Sequence, residues 1–419
     1  GSNPIAQAYS GHQFGHFTML GDGRATLLGE HKIGKTDKKV DIQLKGSGIT
    51  PYSRNGDGRA TLESMLREYL FSETMYGLNI PTTRSLAVVS TGEDVRREES
   101  YTGGILTRVA SSHIRVGTFQ YLSANNDTQA LKELVNYSLK RHFSDFSIDV
   151  NPSITLLNCV MEKQINLINN WMRVGYIMGV ANTDNVTISG ESIDYGPCSF
   201  MNTYNLDSVY SSIDNSGRYS FGNQPLIGHW NISRFAETLI PLLDNDKKKS
   251  IRIGEDIINS YPDKFKNQWL AMMKNKLGFS GYNKNDDIFI KKILNWMSLN
   301  KIDYTNFFCY LMSQKIDNEL NKNNNFKEIY KEWQDRISKN TVQKKITDKI
   351  MRFNNPLVVP RNYIVEEALK LTTKENNFDK FNELLNIIKQ PYEKNKNTLR
   401  YQKPPSALHD HNYKTYCGT

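Results

Sequence analysis

The stretch ANTDNVTISGESIDYGPCSF, residues 181–200, decides how the rest of the chain is read. It sets two short β-like runs, NVTISG and SIDYGPCSF, inside a region whose other patterns have helical spacing. Upstream, from about residue 128, QALKELVNYSLKRHF and ITLLNCVMEKQINLINNWMRVGYIMGV repeat apolar residues at the period of a helix. Downstream, residues 231–390 read as almost wholly helical, and the tail from Pro391, with Pro404 and Pro405, reads as irregular. Residues 1–125 have a different texture. They are rich in glycine, carry the β-like runs DIQLK, SLAVVST and GGILTRVA, and hold one strong helix at about 61–77. The expected fold class is α+β. A small β-rich lobe (1–125) with one key helix precedes a large, mostly helical lobe (126–390) carrying a β pair, and a tail (391–419) follows.

Protein kinases share that plan, and the stretch at 181–200 carries residues that suit it. Asp194-Tyr195-Gly196 fits a turn that presents a metal-holding carboxylate to nucleotide phosphates. Upstream, Asp184 and Asn185 offer a base and a second oxygen ligand for Mg²⁺, a hard cation that prefers oxygen. The strand-like VTIS would then place Asn185 and Asp194 at the two ends of a tight hairpin; the plainer alternative is that Asp184 and Asn185 form only a turn. In the small lobe the alternation of Val40, Ile42 and Leu44 reads as a strand ending at Lys45, where a kinase places its phosphate-touching lysine. Glu68 and Glu73 on the helix at 61–77 both compete as its partner, and periodicity does not choose between them.

The heptapeptide GDGRATL occurs twice, at Gly21–Leu27 and Gly56–Leu62. A stacked repeat is excluded by the flanks, since the first copy runs toward a strand and the second into a helix, and no third copy follows. Glycines beside an aspartate let a backbone approach phosphate and present its amides, and an arginine offers a planar fork. A bare turn is the alternative for either copy alone. Together with Arg108 and Arg115, the two copies would gather Arg24, Lys45, Arg59, Arg108 and Arg115 in one site. That surplus of positive charge suits a pyrophosphate held as a leaving group.

The totals restrict the partners. A net charge of +9 favours an anionic ligand, but much of the lysine lies in Asn-rich helical stretches that read as solvated faces, so nucleic acid is not expected. No run approaches the roughly 18 apolar residues of a membrane helix, so no membrane partner is expected. Cys159, Cys198, Cys309 and Cys417 form no CxxC pair; the first three read as buried thiols and Cys417 as a tail thiol. His12 and His16 lack the spacing of a metal site and read as structural. The leading Gly1-Ser2 reads as a cleavage scar left by expression.

The strings YSGHQFGHF, LGDGRATLLGE, QLKGSGITPYSRNGDGRATL, LREYL, IPTTRSL, RVASSHIRVGTFQ, NTDN and IDYGP resemble the SelO family. These proteins, also called YdiU-type proteins or selenoprotein O, are protein adenylyltransferases with a pseudokinase fold. The similarity extends through QPLIGHWNISRFAETLIPL and NNPLVVPRNYIVEEAL, essentially the whole chain. It implies ATP bound in reverse relative to a kinase, with AMP passed to Ser, Thr or Tyr hydroxyls of proteins and pyrophosphate released. By position it implies Asp184 as general base and Asn185 with Asp194 as ligands of Mg²⁺ or Mn²⁺. Lys45, Arg108 and Arg115 would contact phosphates, Glu68 would pair with Lys45, and Gly21, Gly23, Arg24, Asp57 and Gly58 would line the nucleotide site. Uridylyl transfer from UTP with Mn²⁺ is an implied side activity.

The resemblance also implies a cytoplasmic location in a bacterium and a mitochondrial one in a eukaryote. Family members usually carry several tens of residues before GHQFG, whereas this chain begins ten residues ahead of it, so part of the small lobe's packing is expected to be missing. Some bacterial members pair a C-terminal cysteine with one near the activation loop. The corresponding DSVYSSIDNSGRYSF has none, so that disulfide is not expected unless Cys198 substitutes. Two other functions stay open on residue types alone. One is a conventional kinase moving the γ-phosphate, and the other is a silent ATP-binding scaffold, favoured by the absence of HRD and GxGxxG.

Overall fold

The computed structural model describes residues 3–145, 151–313, 320, 322–406, 413 and 415. The N-terminal part opens with a hairpin of β1 (Ser10–Gln13) and β2 (His16–Met19), then β3 (Ala25–Lys32) and β4 (Lys39–Lys45). Helix α1 (Leu62–Gly77) follows, and β5 (Arg84–Arg96) and β6 (Ser100–Ala110) complete an antiparallel sheet of order β3-β4-β6-β5. The strand expected at DIQLK is present, but its apolar row is not the buried one. Val40, Ile42 and Leu44 are half-buried, whereas Asp41, Gln43 and Lys45 are buried. Side chains alternate across a strand, so β4 turns its polar row inward, and that row faces the site described below.

Helix α1 begins where expected because Thr61 caps it, its side chain accepting the Ser64 amide at 3.2 Å. Its Leu66, Leu70, Phe71 and Met75 join one core with the helical region. A second helix, α2 (Val116–Ala124), lies before residue 125, where the sequence reading expected only one. Nine residues give periodicity little more than two turns in which to register.

The helical region continues with α3 (Thr128–His142) and α4 (Pro152–Val174). Pro152 opens α4 behind an Asn151 cap, and Gly175, with φ +74°, ends it in the left-handed conformation. The strand at β7 (Tyr176–Met178) pairs with β8 (Cys198–Phe200). This corrects the expected hairpin: NVTISG is not a strand, and the partner of CSF precedes the NTDN segment. Helix α5 (Gln224–Leu243) and further helices as far as Asp379–Ile388 account for most of the rest. Among its described residues, the tail expected to be irregular holds one short helix, Thr398–Gln402. Among the described residues no helix is long and apolar enough to cross a membrane.

Candidate active site

Backbone pairing brings the distant candidates together. Gln43 and Lys45 lie on the buried face of β4, and Arg108 of β6 sits directly opposite Gln43. Helix α1 lays Glu68 against them. Lys45 Nζ donates to Glu68 Oε2 at 2.7 Å, and Arg108 donates to Glu68 Oε1 through both Nε and Nη2. Glu73, the competing glutamate, is taken by Arg84 of β5 at 2.7 and 2.9 Å. Residues 114–116 pair with 186–188 through Val116 N to Val186 O and Ile188 N to Ile114 O. That places Arg115 beside the single 3₁₀ turn Thr183–Asn185, where its Nη1 donates to the Asp184 carbonyl at 3.0 Å.

Asp194 completes the cluster from a left-handed backbone, φ +63°, which a non-glycine residue adopts only at a cost of roughly 1–3 kcal/mol. Its Oδ1 accepts from Lys45 and from Arg108, each at 2.5 Å, and Arg115 lies 3.6 Å from Oδ2. Burial alone would raise the Asp194 carboxyl, but Arg108, Lys45 and Arg115 outweigh it and hold it well below the usual carboxylate range. Glu68 is balanced the same way by Arg108 and Lys45 and is also lowered.

Asp184 is the opposite case. It is 7% exposed, and burial pushes its carboxyl up to about 6. Its Oδ1 is buried with no hydrogen-bond partner. Such an atom is rare, because burying an unpartnered polar group costs about 1–3 kcal/mol. The β1–β2 hairpin holds it there: His12 N donates to Thr183 Oγ1 at 2.8 Å, and Phe14 N to Asn182 Oδ1 at 3.2 Å. Gly11 packs directly on the Asp184 carboxyl, where any Cβ would collide with it. Asn185 donates its amide to Val180 O at 2.9 Å, which turns its oxygen the other way.

Both GDGRATL copies reach this place, one on each side of the end of β4. Ala25 of the first lies opposite Lys45 in the sheet, and the Arg24 carbonyl accepts the Gly46 amide. In the second, Arg59 bridges to Ser47, and the Gly58 carbonyl accepts the Gly48 amide. The copies, Lys45, Glu68, Arg108, Arg115, Asp184, Asn185 and Asp194 line one cavity of about 620 Å³. Eight cationic side chains line it against five carboxylates, so the expected positive surplus exists, but much of it is internally paired.

One expectation needs correcting. The first-copy glycines do not chiefly present free amides, since Asp22 N bonds to Gln7 O and Gly23 N to Gly21 O. The glycines make room instead: in the first copy a Cβ on Gly21 would enter the Tyr52 ring, and in the second a Cβ on Gly58 would meet the Gly48 carbonyl. Arg59 lines the cavity and pairs with Glu93 at 2.5 Å. Asp57 also lines the cavity, where Arg97 binds it at 2.9 Å.

Sequence reasoning missed Gln43, Asp22 and the β1–β2 hairpin. Asp22 is 2% exposed, accepts from Gln7 N and Gln43 Nε2, and lies 3.7 Å from Arg115. The polar alternation Asp41-Gln43-Lys45 was the available signal for Gln43. His12, read as structural, meets the Gln120 side chain at 2.8 Å and the Trp230 ring. Cys159, Cys198 and Cys309 are buried, and burial raises the Cys198 thiol to about 11, which makes it a poor redox partner. Cys417 lies outside the described residues.

The family model described as protein adenylyltransferase SelO matches residues 1–389. A protein nucleotidyltransferase YdiU of Clostridium botulinum (strain Eklund 17B / Type B) is 51% identical over 420 residues, covering 100% of this chain and 85% of that protein. Its namesake in Clostridium beijerinckii is 52% identical with the same coverage. The protein of that name in Pelagibacter ubique is 50% identical over 425 residues, covering 100% and 86%. Similarity of this extent, over a cavity whose ionisable groups converge from five separate segments, makes the chain a member of the SelO family of protein nucleotidyltransferases.

Proposed function

We propose that the cavity binds ATP and that the chain transfers AMP to Ser, Thr or Tyr hydroxyls of acceptor proteins, releasing pyrophosphate. The observation that carries this reading is the contrast inside one cavity. Lys45, Arg108 and Arg115 converge on Asp194, while Asp184 holds a buried, partnerless carboxylate oxygen. On this reading residues 1–125 and 126–390 act as the two lobes of a protein-kinase-like fold, with the nucleotide between them and reversed relative to a kinase.

The chemistry follows from the side chains. With its carboxyl pushed up to about 6, Asp184 is ionised at neutral pH yet basic enough to accept a proton. The acceptor hydroxyl gives its proton to Asp184, its oxygen bonds to the α-phosphorus, and the bond from that phosphorus to the bridging oxygen breaks. Charge developing on the departing pyrophosphate is met by Lys45, Arg108 and Arg115, which are already fixed in place by Glu68 and Asp194. Pairing of this kind keeps three cations oriented with little reorganisation at the moment of reaction. Asn185 and Asp194 offer oxygen donors on one cavity, a set that fits Mg²⁺ or Mn²⁺. Bound there, such a cation supplies further neutralisation of phosphate charge.

Label transfer tests this. The chain, a generic acceptor protein and Mg²⁺ or Mn²⁺ receive ATP labelled at the α- or the γ-phosphate, with Asp194→Ala as control. Label from the α-position alone, lost in the variant, is the expected result. Label from the γ-position alone would make the chain a kinase and overturn the proposal.

A further inference from the structure

A second cavity, of about 590 Å³, opens in the helical region and shares no lining residue with the first. It lies between the C-terminal end of α4, the start of α5, helix Tyr261–Leu277 and helix Asp286–Leu299. Its depth is apolar: Phe221, Phe265, Met273, Leu294 and Tyr304 are all buried. The Tyr304 hydroxyl offers no anchor, being spent on the Met172 carbonyl at 3.0 Å. Its charged and amide side chains mark the mouth: Lys266, Lys291 and Asn295 are exposed and Asp287 is half-buried, and Ser298 adds a half-buried hydroxyl.

The charge at that mouth is lopsided. Lys291 pairs with Asp287 at 3.0 Å, while Lys266 has no ion-pair partner among the described residues. An apolar chamber of this size with few polar groups has the profile of a small-molecule site. A deep apolar volume with an uncompensated cation at its entrance suits one kind of guest, a single chain with an anionic head.

We infer that this cleft binds a free fatty acid, its acyl chain among Phe221, Phe265 and Met273 and its carboxylate at Lys266. The inference is independent of what the first cavity does, because the two share no residue.

Calorimetric titration of the full chain with saturated fatty acids from octanoate to hexadecanoate tests it. Affinity should rise about fourfold per methylene, then level off once the chamber is full. Lys266→Glu, an exposed change that leaves folding intact, should weaken binding about tenfold and leave weaker binding of the neutral alcohol dodecanol unaltered. Ser298→Phe, which adds a ring at the cavity wall, should remove binding while circular dichroism stays native. Absence of saturable binding would overturn the inference. So would affinity that climbs without levelling, or Lys266→Glu and Ser298→Phe variants that bind as the parent does, since each marks non-specific surfactant adsorption.

Discussion

In Gly21–Leu27 the aspartate is buried and accepts hydrogen bonds from Gln7 and Gln43; in Gly56–Leu62 it stands partly in solvent against Arg97. The left-handed glycine also moves, from the first residue of the first copy (Gly21, φ +143°) to the third of the second (Gly58, φ +66°). The last three residues lead into β3 in one copy, whereas in the other Thr61 caps α1. Seven identical residues therefore carry no single conformation. What they share is a place beside the end of β4, and their neighbours decide the rest.

The largest expected effect lies at the cavity that both copies line. Asp184→Asn should reduce transfer by about 10²–10⁴-fold, and transfer by the parent should fall as pH drops below about 6. Stability should move the other way. The folded Asp184 carboxyl titrates above its unfolded value, so the folded state holds the extra proton between about 4 and 6. Stability is lost as pH rises through that window, and Asp184→Asn, which cannot ionise, should melt above the parent at neutral pH. A variant that loses both activity and stability would mean that Asp184 is structural, like Asp22.

Next come the glycines. Gly58→Ala drives a Cβ into the Gly48 carbonyl from a left-handed backbone, and should cost more than about 3 kcal/mol in denaturant unfolding. Its counterpart Gly23→Ala has ordinary φ and meets the Tyr52 carbonyl at 3.0 Å, so it should cost about 1 kcal/mol. Equal losses would erase the distinction between the copies. The aspartates follow. Asp22→Ala removes the buried acceptor of Gln7 N and Gln43 Nε2, while Gln43 keeps Arg108 and Arg115 keeps the Asp184 carbonyl and Asp194, and should cost about 1–3 kcal/mol. Asp57→Ala removes a partly exposed pair worth under about 1 kcal/mol.

The smallest effect is in acid. Arg97 holds the Asp57 carboxyl down at about 2, below its unfolded value. Its contribution is present above the unfolded value near 4 and is lost as pH falls toward 2. Asp57→Ala should therefore show a slightly shallower acid-unfolding curve than the parent, and an unchanged curve would mean that the Arg97 pair is idle in solution.

How much of this could be read from the chain differs by element. Helix α1 announced itself because four turns of apolar spacing and a capping threonine agree. Periodicity could not choose Glu68 over Glu73, because the choice depends on Arg84 and Arg108, which fold in from later strands. Strand β4 was legible as a strand, but alternation alone does not say that its polar face is the buried one. Here the site claims the polar row. The pairing of β7 with β8 was missed because NVTISG has strand composition and lies nearer in sequence, although its residues are used to grip 114–116 instead. The bare oxygen of Asp184 had no local signal at all, since it depends on Gly11 from a hairpin more than 170 positions away.

Under the proposed function, the two copies form one nucleotide site from opposite sides. Hydrogen exchange read by mass spectrometry, with and without ATP and Mg²⁺, tests it most directly. Slowed exchange in both Gly21–Leu27 and Gly56–Leu62 is the expected result. Slowing in one copy alone, or in neither while ATP is bound, would contradict it.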